Sequence, residues 1–193
     1  MIAKTAKLIS IVLGPQVWFP LLIVLFLFKT DLSQKQQLIL TPLLLTFFII
    51  IPFGVLYILI KIGNVEDWDI RRRQERYKIL SIFIVSTLIN MAFVYLFGTK
   101  LSFHLSLILW LVSLVGTSVT FFWKISLHVI LNTAAIIMIN FLFDWKLPIL
   151  YIFIPIVAWA RYYHKHHTIW QIIIGILVGG IITLLGLIYF GYI

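Results

Sequence analysis

Long apolar runs separated by short polar breaks make up most of this chain. Most runs are close to the roughly 20 residues that an α-helix needs to cross the hydrocarbon core of a bilayer, and they lack the alternation of strands. The breaks predict helices over about 8–28, 38–60, 79–98, 102–122, from after Lys124 to about 143, 147–160 and 169–190. This pattern predicts an all-α, polytopic membrane helix bundle of six or seven transmembrane helices.

Composition strengthens this prediction. Of 193 residues, 63% are hydrophobic and only 11% are charged. A soluble domain of this size has no core large enough to hide so much apolar surface. We therefore expect a single transmembrane domain over 1–193, with the lipid bilayer as its solvent and no soluble part that binds nucleic acid. The first apolar run is too long for a signal peptide, and no small-residue cleavage site follows it.

Charge is divided unevenly between two alternating sets of polar breaks. One set holds 11 of the 15 basic residues: Lys4, Lys7, Lys61, Arg71, Arg72, Arg73, Arg76, Lys78, Lys124, Arg161 and Lys165. The other set holds Lys29, Lys35, Lys100 and Lys146. Because cytoplasmic loops carry an excess of lysine and arginine, the first face, including the N-terminus, is predicted to be cytoplasmic.

Three polar segments on that face carry candidate chemistry, and the first is rich in arginine. If it is helical, Arg72 and Arg76 share a face, with Arg73 beside them. Guanidinium groups arranged in this way bind phosphate oxygens in pairs. The alternative is a solvated juxtamembrane helix whose acidic and basic side chains pair with one another.

The second segment contains Lys124, Ser126 and His128 at the start of the fifth predicted helix. An ionisable side chain one turn inside a membrane helix is expensive to bury, so His128 is a candidate functional residue. Asn132 lies one turn further along and is placed to hydrogen-bond to His128. The alternative is a helix-packing histidine that this neighbour satisfies.

The third segment contains Arg161 and then His164, His166 and His167. Three histidines so close together are typical of a metal site at first sight. Adjacent residues do not share a helix face, however, and no cysteine or carboxylate lies nearby, so no metal is predicted. Gln171 follows His167 by one helical turn, and its amide oxygen is placed to hold one imidazole nitrogen and fix the tautomer.

In order and spacing, the three segments resemble the signature of the type 2 phosphatidic acid phosphatase superfamily, membrane enzymes related to vanadium haloperoxidases. That signature is K-x6-R-P, then P-S-G-H, then S-R-x5-H-x3-D. Here the segments read Asp69-x6-Arg76-Tyr77, Ile125-Ser126-Leu127-His128 and Ala160-Arg161-x5-His167-x3-Gln171. The resemblance covers about residues 40–190. This chain lacks the family's lysine, both prolines, the glycine and the final aspartate.

The resemblance implies metal-independent hydrolysis of a lipid phosphate or isoprenoid diphosphate, with no cofactor. His167 would be the nucleophile that forms a phosphohistidine, and His128 would act first as acid and then as base. Gln171 would orient His167 without supplying the full charge of an aspartate.

The resemblance also implies a cluster of phosphate-binding side chains. These would be Arg76, Ser126 and Arg161, with Lys124 and Arg72 or Arg73 in place of the family's lysine. We therefore expect Arg76, Arg161 and both catalytic histidines to converge on one polar pocket. The rings of His128 and His167 should lie within about 8 Å of each other.

Two other functions fit the sequence. A non-catalytic protein of the same fold would bind lipid phosphates with these residues. Alternatively, Glu66, Asp67 and Asp69 would form half of a magnesium–diphosphate site, as in membrane prenyltransferases. That site needs a second acidic motif on the same face, but Asp31 and Asp144 are predicted on the opposite one.

Small residues in the last predicted helix leave the oligomeric state open. Gly175 and Gly179 are spaced as in close helix pairs, and Gly180 follows directly. Such a pair can form within one chain or between two copies.

Overall fold

The structure, a computed structural model, describes residues 2–66, 70, 73–165 and 167–193. In these ranges the chain forms nine α-helices and no strand, which confirms the all-α prediction. The helices are α1 (Ile2–Val12), α2 (Pro15–Lys29), α3 (Gln34–Leu45), α4 (Ile51–Lys61), α5 (Arg73–Phe97), α6 (Lys100–Phe122), α7 (Leu127–Leu142), α8 (Phe153–Tyr163) and α9 (Ile169–Tyr189). A π-helical turn (Thr46–Ile50) joins α3 to α4, and a 3-10 turn (Pro148–Ile152) precedes α8. The predicted site residue Arg72 and the acidic residues Asp67 and Asp69 lie outside the described residues, as does His166.

Five stretches of the described chain are long and apolar enough to cross a membrane by length and composition. They are Lys4–Lys29, Gln34–Lys61, Glu75–Phe97, Lys100–Phe122 and Ile169–Tyr189. Two further apolar stretches, Leu127–Leu142 and Pro148–Tyr163, are shorter. The predicted apolar runs are therefore helical, and the chain is a multi-pass membrane protein. The number of helices that cross the bilayer stays a prediction.

The prediction of one continuous helix over about 8–28 is wrong. The chain forms α1 and α2 instead, with a break at Gly14. Pro15 opens α2, and a proline disfavours helical backbone in the residue before it while fitting the first helical position well. Pro20 lies inside α2 and does not end it.

Two other helices start earlier than predicted because polar residues form their first turns. Helix α3 begins at Gln34 rather than at about 38, and a capping box starts it. The backbone N–H of Gln36 donates to Oγ of Ser33 at 3.4 Å, and the Ser33 N–H donates to Oε1 of Gln36 at 2.9 Å. Helix α5 begins at Arg73 rather than at about 79. The start of α3 is therefore set by capping hydrogen bonds, which the pattern of apolar residues does not reveal.

The chain divides into two compact units. The first unit comprises residues 1–25 and 107–193, and the second comprises 26–106. In the first unit, α7 is the central helix, since 11 of its 16 residues are buried. It packs against α8 and α9, while α1 packs against α8.

Two glycines bring α9 close to α7 inside the first unit. A Cβ at Gly179 would collide with the backbone carbonyl of Ile130, and a Cβ at Gly175 would lie 3.3 Å from the carbonyl oxygen of Ser126. The backbones of the two helices therefore touch where side chains are absent. The small-residue motif is used within the monomer, and it brings the start of α7 against the start of α9.

In the second unit, α5 packs against α3 and α4. The hydroxyl of Ser86 donates to the carbonyl of Phe47, which lies in the π-helical turn. Nearer the start of α5, Ile79 packs with Leu56 and Val65 in a small apolar core. This packing fixes the first turns of α5, which carry Arg76.

Candidate functional site

His167 lies just before α9 and is held by the first turn of that helix. The side chain is 7% exposed, and its Nδ1 is 3.3 Å from Oε1 of Gln171. This is the contact predicted from the spacing of the two residues. The same Oε1 accepts the backbone N–H of Thr168 at 3.1 Å, and Oγ1 of Thr168 accepts the N–H of Gln171 at 3.3 Å. Thr168 and Gln171 thus form the capping box that starts α9.

The capping box also determines the tautomer of His167. The amide atom of Gln171 that meets Thr168 accepts an N–H, so it is the oxygen, and the same atom faces the imidazole. An oxygen accepts hydrogen bonds and cannot donate one, so Nδ1 of His167 must carry the proton. In the neutral ring the lone pair then lies on Nε2, which is the electronic form a nucleophilic histidine needs.

Ser126 is the N-cap residue of α7 and lies beside the start of α9. Its backbone N–H points to the carbonyl of Gln171 at 3.5 Å. The side chain is 0% exposed, makes no capping bond, and has no hydrogen-bond partner for its Oγ among the residues that the structure describes. A buried hydroxyl left in this state costs about 1–3 kcal/mol, and a bound ligand or water usually relieves it. Of the predicted site residues, Ser126 therefore points most directly to a bound group.

Arg161 lies in the last turn of α8 and is 2% exposed. Its Nη1 donates to Oγ of Ser10 on α1 at 2.9 Å. No sequence motif indicated Ser10, because the family resemblance begins only at about residue 40. No local pattern links two residues 151 positions apart.

His128 is the second residue of α7 and is partly buried. The predicted hydrogen bond from Asn132 reaches the backbone of His128 rather than its imidazole. Nδ2 of Asn132 donates to the carbonyl of His128 at 2.7 Å and to the carbonyl of Leu13 at 2.9 Å, which uses both of its hydrogens. Oδ1 of Asn132 has no partner in the described part of the chain, so Asn132 does not orient the ring. Polar side chains inside helices often bond in this way to the carbonyl one turn earlier.

Of the predicted arginines in the first segment, Arg73 and Arg76 are described and belong to the second unit. Arg76 is 7% exposed, and its Nε donates to the backbone carbonyl of Ile70 at 2.7 Å. Arg73 begins α5. The assignment of Arg76, Arg72 and Arg73 to one site with the histidines stays a prediction, and so does the distance between the rings of His128 and His167. Lys124 is partly buried in the segment just before Ser126.

The first unit carries a large excess of positive charge. Its basic residues are Lys4, Lys7, Lys124, Lys146, Arg161 and Lys165, and Asp144 is its one acidic residue. Asp144 pairs with Lys146 at 3.1 Å, and both side chains are exposed. A helix bundle with this charge and a buried arginine favours an anionic ligand.

Within the described ranges, no three histidine, cysteine or acidic side chains come together as a set of metal ligands. The chain matches no family model, no curated protein and no solved structure. The resemblance to the type 2 phosphatidic acid phosphatases therefore depends on the three sequence segments alone.

Proposed function

We propose that this chain is a lipid phosphate phosphatase that hydrolyses a lipid phosphate or an isoprenoid diphosphate through a phosphohistidine, as the resemblance to the type 2 phosphatidic acid phosphatase superfamily implies. The observation that carries the proposal is the contact between His167 and Gln171. In the neutral ring this contact favours the proton on Nδ1 and leaves the lone pair on Nε2, in a side chain that is almost fully buried. Buried ionisable groups in membrane proteins are expensive and are usually functional.

In the first step, Nε2 of His167 attacks phosphorus in line with the leaving oxygen. The N–P bond forms as the P–O bond to the leaving group, a lipid alcohol or a lipid monophosphate, breaks, and His128 donates a proton to the departing oxygen. In the second step, His128 removes a proton from water, which attacks phosphorus and breaks the N–P bond. Inorganic phosphate leaves, and both histidines return to their starting protonation states.

Three side chains of the first unit would bind the non-bridging oxygens. The hydroxyl of Ser126 would donate to one of them and thereby gain the partner it lacks among the described residues. Arg161 and Lys124 would supply positive charge as negative charge builds up in the transition state. Fixed cations and a fixed hydroxyl, positioned before substrate binds, then stabilise this charge without large rearrangement.

The site is proposed to face the cytoplasm, because the polar breaks that carry it also carry most of the basic residues. A lipid substrate would keep its tail among the apolar helices and present its charged head at the membrane boundary.

A phosphate-release assay on the purified protein tests the proposal. Phosphatidate, phosphatidylglycerol phosphate and isoprenoid diphosphates would be supplied in detergent micelles with EDTA present. We expect phosphate release from at least one of them. After acid-free quenching, a labelled phosphoryl group should remain on the wild-type protein and be absent from His167→Ala. If no substrate released phosphate, the proposed phosphatase activity would be refuted.

A non-catalytic lipid-phosphate-binding protein is the second candidate, and one observation favours it. Gln171 is explained by its capping bond to Thr168 whether or not His167 reacts. If the chain is such a binding protein, the wild type would bind lipid phosphates in a flotation assay but release no phosphate from them.

A further inference from the structure

We infer that Ser10, on the N-terminal helix α1, is a positioning residue for Arg161, and that α1 thereby forms part of the phosphate site. The inference rests on the proposed function, but it concerns a helix that precedes the region of the family resemblance. Oγ of Ser10 accepts a hydrogen bond from Nη1 of Arg161 at 2.9 Å.

The chemistry of this contact suits a phosphate-binding arginine. A guanidinium group carries five N–H donors, and the bond to Ser10 uses one of them. A carboxylate in the place of Ser10 would hold the group more strongly but would cancel its charge. A hydroxyl orients the guanidinium and keeps the full positive charge. Orientation matters because a long, flexible arginine side chain loses rotamer entropy when it is ordered.

Helix α1 is firmly fixed to the helices that carry the site. One turn after Ser10, the carbonyl of Leu13 accepts hydrogen bonds from Nδ2 of Asn132 at 2.9 Å and from Nε1 of Trp18 at 3.1 Å. The Leu13 side chain packs against the buried cluster of Val129, Val157 and Ile172, which belong to α7, α8 and α9. Three site-bearing helices therefore hold the end of α1, and Ser10 has a defined place beside Arg161.

A purely structural role makes a different prediction. If Ser10 only satisfies a buried donor, its loss should lower the melting temperature and leave anion affinity unchanged. If Ser10 positions Arg161, its loss should weaken anion binding more than it changes stability. Replacement by aspartate separates the two roles further. It would strengthen the contact but neutralise the charge that binds the anion.

Binding of inorganic orthovanadate, a phosphate analogue, to the full-length protein in detergent tests the inference. We expect Ser10→Ala to weaken vanadate binding about 10-fold, the size of one hydrogen bond to a charged group. Ser10→Thr, which keeps the hydroxyl, should restore most of the affinity, and Ser10→Asp should bind less vanadate than Ser10→Ala. Ser113→Ala is the matched control, because that hydroxyl donates to the Leu109 carbonyl of its own helix at 2.8 Å. Its vanadate affinity should equal that of the wild type.

The outcomes separate the inference from the proposed function. If the wild type binds vanadate and hydrolyses lipid phosphate while Ser10→Ala and Ser10→Asp match it in both, the inference is overturned and the phosphatase stands. If the wild type binds no vanadate and releases no phosphate, the phosphatase is refuted and the positioning role is overturned with it.

Discussion

The side-chain oxygen of Gln171 lies 3.3 Å from Nδ1 of His167. The same oxygen accepts the backbone N–H of Thr168 and so also caps α9. One atom therefore anchors the candidate nucleophile to the first turn of a 21-residue helix. In the type 2 phosphatidic acid phosphatases, which this chain resembles, an aspartate takes this position and adds a negative charge. The amide of Gln171 supplies orientation alone.

Replacing His167 tests the nucleophile. His167→Ala should abolish hydrolysis of lipid phosphates while the protein still folds, because the capping bonds between Thr168 and Gln171 do not need the imidazole. Phosphate release and thermal unfolding in detergent would be measured together. His164→Ala is the control and should retain most of the wild-type rate. An active His167→Ala variant would contradict the mechanism.

Changes at Gln171 test the orientation of the ring. Gln171→Asp should keep or raise the rate, since a carboxylate stabilises the imidazolium better than an amide does. Gln171→Leu should lower the rate on the order of 100-fold, because the tautomer is no longer fixed. The measurement is kcat for phosphate release.

Gln171→Leu also removes a helix cap, and a second variant separates the two effects. Thr168→Ala removes the hydroxyl that caps the N–H of Gln171 but leaves Oε1 facing His167. It should lower stability by about 1 kcal/mol, as for other N-cap losses, with little change in rate. Equal loss of activity in Thr168→Ala and Gln171→Leu would mean that the cap, rather than the imidazole contact, controls the rate.

Ser126 should show opposite effects on stability and on function. Ser126→Ala removes a buried hydroxyl that has no partner among the described residues, so the unliganded protein should be as stable as the wild type or more stable. Vanadate affinity and kcat/KM should fall about 10-fold, because one donor to the phosphate is lost. Unfolding and activity would be measured on the same preparation. A destabilised Ser126→Ala protein with full activity would show that the hydroxyl is structural.

Adjacent glycines of α9 provide a matched test of the contact between α7 and α9. Gly179→Ala should be strongly destabilising, because its Cβ would collide with the Ile130 carbonyl and neither backbone can move aside easily. Gly180→Ala should be tolerated, since its Cβ would lie 3.7 Å from a methyl group of Thr133. Thermal unfolding in detergent compares them. Equal stability of the two variants would contradict this close approach.

Orientation is testable with reporter fusions and labelling. Because the basic residues concentrate on one set of polar breaks, the N-terminus is expected in the cytoplasm, and seven spans would place Ile193 outside. Lys165 should be labelled only from the cytoplasmic side and Lys100 only from the other. A cytoplasmic Ile193 would mean an even number of spans, and the inverse labelling pattern would reverse the orientation.

The sequence predicted the parts of this protein that depend on neighbouring residues. The bounds of α6 and α9 differ from the predicted 102–122 and 169–190 by two residues or fewer. This agreement has a physical cause, because an apolar run in lipid must satisfy its backbone hydrogen bonds internally and so becomes a helix. The contact between His167 and Gln171 was predicted from their spacing of four residues, although the structure forms it across the N-cap of α9 rather than along one helical turn.

Only the tertiary structure decided which helices meet and through which atoms. The pairing of Ser10 with Arg161, the burial of the Ser126 hydroxyl and the use of Gly179 within the monomer leave no local pattern in the sequence. Each depends on the rotation and approach of helices that are distant in the chain, and apolar surfaces of similar composition allow many such arrangements. The packing of small residues against backbone selects one of these helix arrangements. In that arrangement α1, α7, α8 and α9 all contribute polar side chains to the first unit.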